Sequence, residues 1–220
     1  MRGREEADAW RNSEATVAPS AGTAGSTIHT SRTLYGPWEP VDPNPLPGCN
    51  NPAPWVHPNG TIYVVCRPKI YRAEDLTSGW VYVADVPTHG GSGPNQEDPF
   101  LWTDTRGNWH VIFHTYDLTL PDQCRNSTVS SHAYSSDGYN WTMHAVQPYT
   151  TQIPVGQGEY VTVSTRERPK LWFNQDGVAT HLFNGVCSAP ACPGIPCVNC
   201  KTNGGFWDYT LVAPLSTAPD

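Results

Sequence analysis

The chain of 220 residues is 15% charged and has a formal net charge of −7, with no basic stretch to offset the acidic excess. This balance argues against a nucleic-acid or anionic-membrane partner, and no apolar run reaches the roughly 20 residues that a membrane-spanning helix requires. Its 22 Pro and 19 Gly indicate many short turns, and nine Trp with ten Tyr are typical of a β-rich protein.

Residues 1–28 are polar and rich in Ala, Gly, Ser and Thr, without the period of a strand or a helix. This composition predicts a disordered or atypical N-terminal segment. The segment has no apolar core that could serve as a signal peptide, yet three glycosylation sequons, at Asn59, Asn126 and Asn140, and seven cysteines indicate a secretory history. We therefore expect a secreted glycoprotein whose natural N-terminus lies upstream of Met1.

From residue 29 onward, one sequence element occurs three times: a Pro followed eight positions later by a Gly, with apolar residues between them. The copies are found in NPAPWVHPNGTIYVV, DPFLWTDTRGNWHVIF and RPKLWFNQDGVATHLF. Each contains Asn-Gly, Arg-Gly or Asp-Gly between two apolar runs. This pattern predicts three β-hairpins.

A second element places a small residue and a polar turn before a Trp, as in SRTLYGPW, AEDLTSGW and SSDGYNW. The three residues Trp38, Trp80 and Trp141 each open a further short apolar run. Together the two elements predict units of four antiparallel strands, which is how β-propeller blades appear in sequence. A β-sandwich is the alternative architecture.

The repeats predict an all-β domain over residues 29–220 with about three and a half blades. A closed propeller needs at least about four blades. We therefore expect that one or more N-terminal blades lie outside this chain.

The segment CSAPACPGIPCVNC, residues 187–200, contains four cysteines between Pro and Gly residues. It predicts either a disulfide-stapled loop, which the sequons favour, or a zinc site. Its place in the sequence indicates a long insertion in the hairpin of the last blade. The remaining cysteines, Cys49, Cys66 and Cys124, are odd in number.

The combination of GPW, NPAP, EDPFLWTDTRGNWH and RERPKLWFNQDG resembles the five-bladed propellers of the family-43 glycoside hydrolases and their arabinanase, xylosidase, galactanase and invertase-like relatives. The resemblance covers about residues 30–215. It implies an axial funnel with three carboxylates: a general base, a second Asp that adjusts the pKa, and a general acid. By this resemblance Asp98 is the pKa modulator and Glu167 is the general acid.

The general base has no match in the comparable first hairpin, where Asn51 precedes Pro52. An amide cannot accept a proton at neutral pH. The base therefore lies outside this chain, or water is activated in another way, or the chain is catalytically inactive.

Strand alternation predicts which side chains share the funnel with these acids. If Glu167 faces the axis, Arg166 and Arg168 point away from it. By the same rule Glu97 points away from Asp98, as a structural ion-pair partner for one of the arginines. The alternative is that Glu167 itself forms an ion pair with an arginine of a neighbouring strand.

Other polar and aromatic residues near the strand starts are candidates for sugar binding or for packing between blades. His110 and His114 are expected to share one strand face. One interpretation is that they bind sugar hydroxyls, an axial water or an ion, and the other is that they pack between blades. Trp102 and Trp172 are further aromatic candidates for stacking on sugar rings. The predicted substrate-binding residues are Asn51, Trp55, Phe100, His114, His132 and Arg168. No metal ligand set is expected, because a third zinc ligand at a recognisable spacing is missing.

The resemblance implies an inverting glycoside hydrolase that acts on arabino- or galacto-configured linkages of plant or algal saccharides. We expect an extracellular monomer without a cofactor, with a carbohydrate as its partner. The alternative is a carbohydrate-binding propeller without catalytic activity, and a third possibility is a fragment without a stable fold.

Overall fold

The computed structural model describes residues 26–41, 49, 51–66, 68–87, 96–115, 129–188 and 209–215. All regular elements in these ranges are β-strands. Among these residues, none belongs to a helix that is long and apolar enough to cross a membrane. The predictions for residues 1–25, Cys124, Asn126 and the cysteine-rich segment 189–200 lie outside the described residues.

The strands form three four-stranded antiparallel sheets and one two-stranded sheet. The two-stranded sheet pairs β1 (His29–Thr30) with β2 (Glu39–Pro40). The first blade contains β3 (Ala53–Val56), β4 (Ile62–Cys66), β5 (Lys69–Ala73) and β6 (Val81–Asp85). The second blade contains β7 (Gln96–Thr103), β8 (Trp109–Thr115), β9 (Ser130–Ser135) and β10 (Thr142–Met143). The third contains β11 (Gln152–Gly156), β12 (Glu159–Phe173), β13 (Ala179–Ser188) and β14 (Tyr209–Pro214).

The predicted hairpins and four-stranded units are confirmed. The turns that join β3 to β4, β7 to β8 and β12 to β13 contain Gly60, Gly107 and Gly177, with φ values of +94°, +85° and +74°. A side chain is strained at such angles, so glycine at these positions specifies where each hairpin reverses. The strands β2, β6 and β10 each follow one of the three predicted Trp residues.

The third blade differs from the sequence prediction because β12 is 15 residues long. Its first part pairs with β11, with Gln152 opposite Thr162, and its second part pairs with β13, with Val163 opposite Ser188. The additional hairpin turns at Gln157, which has a φ of +51°. It does not carry the Pro-to-Gly spacing of the other hairpins, and the repeat pattern therefore did not predict it.

The hydrophobic core lies between the blades, and β8 contributes to two parts of it. Val111 and Phe113 pack in a buried cluster that includes Ile70 of the first blade. Ile112, between them in sequence, packs in a different cluster with Leu182 of the third blade. Successive side chains of a strand point to opposite faces. The second blade is therefore held on both sides by its neighbours.

A disulfide connects Cys49, just before the first blade, to Cys66 at the end of β4. Both cysteines are buried. The sequence separation of 17 residues corresponds to a stabilisation of about 3 kcal/mol in the loop-entropy account. The sequence alone did not predict this pairing.

Candidate functional site

Each of the three blades has a residue in the left-handed backbone region directly before the proline of its repeat hairpin. The φ angle is +51° at Asn51, +52° at Asp98 and +53° at Arg168. Asn and Asp adopt this conformation more readily than other residues with side chains, whereas for Arg it costs about 1–2 kcal/mol. The shared angle identifies these three positions as structurally equivalent.

The backbone next to these residues also departs from regular strand pairing. In β7 the register shifts between Glu97, opposite His114, and Phe100, opposite Ile112. Three residues of β7 advance while β8 advances by two, as in a β-bulge. The same kind of shift follows Glu167 in β12.

The bulges make two of the strand-alternation predictions wrong. Glu97 was expected to point away from Asp98, but both carboxylates belong to one cluster with Glu167. Arg168 was expected to point away from the acids, but its Nη1 lies 3.4 Å from Asp98 Oδ1. A residue with positive φ breaks the period of two, so consecutive side chains can reach the same site.

The cluster consists of Glu97, Asp98, His114 and Glu167. One carboxylate oxygen from each acid and one ring nitrogen of the histidine all lie within 4.8 Å of one another. Asp98 and Glu167 are each only 4% exposed, and Glu97 Oε1 lies 3.4 Å from His114 Nδ1. The middle of β12 therefore meets the start of β7 and the end of β8 in a compact acidic site.

The environment of Asp98 raises the pKa of its carboxyl above the usual value. Burial raises the pKa of the Asp98 carboxyl, the nearby Glu97 raises it further, and the Arg168 cation opposes the shift. Neither carboxylate oxygen of Asp98 has a hydrogen-bond partner among the described residues. Carboxylates this close to one another resist simultaneous ionisation and titrate as a group.

Buried polar contacts fix the backbone around Glu167. Arg166 Nε donates to Asn184 Oδ1 at 2.9 Å, and Arg166 Nη1 donates to the carbonyl of Thr150 at 3.0 Å. Its guanidinium lies 4.9 Å from the centre of the Tyr149 ring. Asn184 Nδ2 in turn donates to the Glu167 carbonyl at 3.1 Å. Arg166 therefore ties β12 to β13 and to the segment that precedes the third blade, and these contacts lie outside the carboxylate cluster.

A second buried contact anchors the start of β7. Gln96 Nε2 donates to Ser131 Oγ at 2.8 Å, and Thr115 Oγ1 donates to the same oxygen at 2.9 Å. The three residues belong to three neighbouring strands of the second blade. This network fixes the strand immediately before Glu97 and Asp98.

The structure places the predicted substrate-binding residues in different surroundings. His114 and Arg168 lie at the carboxylate cluster, and Asn51 begins the first blade. Trp55 packs edge-on against Trp109, with ring centres 5.2 Å apart, between the first and second blades.

Phe100 also lies in the packing between blades. Its ring stacks on Phe173 of the third blade, with ring centres 6.4 Å apart. The Lys170 ammonium lies 5.5 Å from the centre of the Phe100 ring. Phe100 therefore contacts the third blade near the end of β12.

His132 lies in a group of stacked rings rather than in the carboxylate cluster. Its Nε2 is 3.0 Å from His110 Nδ1, and its ring centre is 6.0 Å from that of Trp102. Burial, together with the neighbouring His110 and His144, lowers the pKa of His132 to about 4. The imidazole is therefore neutral at neutral pH.

Two residues of the site were missed or misjudged from the sequence. Lys170 Nζ donates to the Pro99 carbonyl at 3.1 Å, and burial lowers the pKa of its ammonium, against the effect of Asp98. Glu97 was interpreted as structural, although it stands two positions before a proline, as Glu167 does. That spacing was the signal that could have identified it.

The same four side chains of the cluster, Glu97, Asp98, His114 and Glu167, are also the described residues that could hold a divalent metal ion. Carboxylate oxygens suit calcium and magnesium, and an imidazole nitrogen extends the choice to transition metals. The distance between the Glu167 carboxylate and that of Asp98 or Glu97 is short for an acid-base pair. Their nearest oxygens lie within 4.8 Å, whereas inverting glycosidases separate acid and base by about 6.5–9.5 Å.

Neither a family model nor a curated protein matches the sequence, but solved structures match its fold. The family-43 protein BlXynB from Bacillus licheniformis aligns with a TM-score of 0.57 at 14% identity over 86% of this chain and 34% of its own length. An endo-arabinase from Bacteroides thetaiotaomicron aligns with a TM-score of 0.51 at 14% identity over 90% of this chain and 68% of its own.

A thermostable family-43 glycoside hydrolase aligns with a TM-score of 0.52 at 17% identity over 80% of this chain and 62% of its own length. The chain thus spans between 34% and 68% of the length of these three structures. As the sequence resemblance predicted, the chain has the β-propeller fold of the family-43 glycoside hydrolases.

Proposed function

We propose that the chain is a glycoside hydrolase in which Glu167 is the proton donor and Asp98 adjusts its protonation. One observation carries this proposal: β7 of the second blade and β12 of the third bring two buried carboxylates together, with their nearest oxygens within 4.8 Å. The fold shared with family-43 enzymes supports it.

The electrostatics of the cluster suit a general acid. A general acid must hold a proton near the working pH. Glu97, Asp98 and Glu167 have carboxylate oxygens within 4.8 Å of one another, so the ionisation of one disfavours the ionisation of the others. Arg168 stabilises the charge of Asp98, and an ionised Asp98 favours a protonated Glu167.

The finer proposal is inverting hydrolysis of arabino- or galacto-configured linkages. The short separation within the cluster argues against Glu97 or Asp98 as the base that activates water. We propose that the base lies outside the described residues. Glu97 then assists Asp98 in keeping the proton on Glu167.

The test is hydrolysis by the purified chain of a panel of aryl arabinofuranosides, galactopyranosides and xylopyranosides. We expect activity on the first two classes and a loss of at least about 100-fold in Glu167→Gln, because general acids contribute that much. Glu159→Gln, an exposed position on the same strand, is the matched control and should keep full activity. Full activity of Glu167→Gln would contradict the assignment.

A second candidate function is carbohydrate binding without catalysis. It is favoured by Asn51, which occupies in the first blade the position that Asp98 occupies in the second. Titration calorimetry with arabino- and galacto-oligosaccharides separates the two proposals. Binding without hydrolysis of any glycoside in the panel would favour the binding protein.

We also propose that the protein is extracellular and glycosylated. The Cys49–Cys66 disulfide is typical of oxidising compartments. Asn59 and Asn140 are exposed on turns, where a glycan can be attached. Glycopeptide mapping after expression in a eukaryotic secretion host should find glycans at both residues, and bare asparagines would contradict the proposal.

A further inference from the structure

The third blade differs from the other two in charge at two equivalent positions: the left-handed residue before the proline and the residue after that proline. The three sequences there are Asn51-Pro-Ala, Asp98-Pro-Phe and Arg168-Pro-Lys. In the first two blades a short polar residue takes the left-handed position, and an apolar residue follows the proline. Only the third of these blades has cations at both positions.

The backbone conformation does not explain why an arginine occupies position 168. Asn and Asp are the residues that best tolerate the left-handed region, and Arg has no such preference. With its φ of +53°, Arg168 therefore has a strained backbone conformation. Residues in such conformations concentrate at binding and catalytic sites.

Both cations line one pocket of about 380 Å³ beside the carboxylate cluster. Such a volume suits a small ligand such as one sugar residue. Its described wall contains no acidic residue. Besides Arg168 and Lys170, the wall includes Phe183, Asn184, Tyr209 and Thr210. These supply an aromatic ring for the face of a sugar and polar groups for its hydroxyls.

The two cations remain accessible to a ligand in this pocket. The side chain of Arg168 is 55% exposed, and its Nη1 lies 3.4 Å from Asp98 Oδ1. Lys170 Nζ donates to the Pro99 carbonyl, and an ammonium has three donors.

We propose that this pocket is a subsite for an anionic sugar residue next to the linkage that is cleaved. The anionic group is the carboxylate of a uronic acid or a sulfate ester. Arg168 would bind it through two parallel N–H groups, and Lys170 would add a point charge. This inference rests on the proposed function, because it places the sugar beside Asp98 and Glu167.

The test measures binding by titration calorimetry, using the full chain with Glu167→Gln to prevent turnover. The probes are a galacto-oligosaccharide that ends in glucuronic acid, the same compound with its carboxyl reduced to an alcohol, and a sulfated counterpart. We expect at least about tenfold tighter binding of an acidic probe than of the reduced one, because two charge-assisted contacts are added. The preference should weaken as salt is increased.

The variants Arg168→Gln and Lys170→Met should each reduce this preference. Arg106→Gln, on an exposed turn, should keep it and is the matched control. Each variant is first compared with the parent by thermal melting. Lys170→Met provides an independent test if Arg168→Gln does not fold.

Equal binding of the acidic and reduced probes would overturn the inference, and so would a preference that survives in both variants. In that case the cations serve to balance the carboxylate cluster. A preference for the sulfated probe alone would identify the anion as a sulfate ester. Failure of the proposed function is seen separately, as an absence of hydrolysis by the unmodified chain.

Discussion

Asp98 illustrates how a single residue in this molecule is placed at an energetic cost. It is buried, its backbone is left-handed, and its carboxylate oxygens have no hydrogen-bond partner among the described residues. Buried polar groups are normally paired, and those that are not tend to occur where a function requires them. The charge of Asp98 is opposed by burial and supported by Arg168.

Because the buried Asp98 charge is energetically unfavourable, we predict that Asp98→Asn stabilises the protein at neutral pH. Because the pKa of Asp98 is raised in the folded state, its contribution to stability is present below the unfolded value of 3.8 and is lost as the pH rises through the folded value. Asn tolerates the same φ, as Asn51 shows. We expect a melting temperature about 2–4 °C higher at neutral pH.

Calorimetry as a function of pH checks this prediction. The difference between Asp98→Asn and the parent should shrink as the pH falls through the raised pKa of Asp98 toward the unfolded value of 3.8, because the carboxylate then binds a proton. A difference that does not change with pH would show that the carboxylate charge is not the cause.

At the scale of the element, the recurring unit is a hairpin that starts with a left-handed residue and a proline. The glycine turns and the strands after Trp were predictable because glycine conformation and apolar patterning are local properties of the sequence. The additional β11 hairpin was not predicted, since it lacks the repeat spacing. The positions of Glu97 and Arg168 were mispredicted, because positive φ before a proline breaks the alternation of side chains. For Glu97 the spacing to Pro99, which matches that of Glu167 to Pro169, was a sequence signal; for Arg168 there was none.

The same reasoning predicts the effect of substitutions at Asn51. Asn51→Ala should lower the free energy of unfolding by about 1 kcal/mol, because alanine is disfavoured at a φ of +51°. Asn51→Gly should cost little, since glycine adopts this angle freely. Urea unfolding of both variants measures the difference, and equal stability would contradict the role assigned to the left-handed start.

At the scale of the molecule, the stability of the described chain depends on the faces buried between blades. The all-β class, the four-stranded units and the placement of Asp98 and Glu167 at the starts of repeat hairpins followed from the repeats and the family resemblance. The residues that contact each blade face could not be predicted in this way, because they depend on how neighbouring sheets pack. Lys170, which reaches across to Pro99 in the second blade, was missed for this reason.

Ile112→Ala tests the packing between the second and third blades. The side chain is 4% exposed and lies in the buried cluster that joins them. Its truncation should lower the free energy of unfolding by about 2–5 kcal/mol. Val212→Ala, at a position that is 48% exposed on β14, is the control and should change it by less than about 0.5 kcal/mol. Similar losses in urea unfolding of the two variants would contradict this account.

The dependence of kcat/KM on the leaving group tests most directly whether Glu167 is the proton donor. In Glu167→Gln we expect a loss of at least about 100-fold on oligosaccharides, whose leaving oxygen must be protonated. The loss on a dinitrophenyl glycoside of the same sugar should be small, because that leaving group departs without a proton. Equal losses on both substrates would contradict the account.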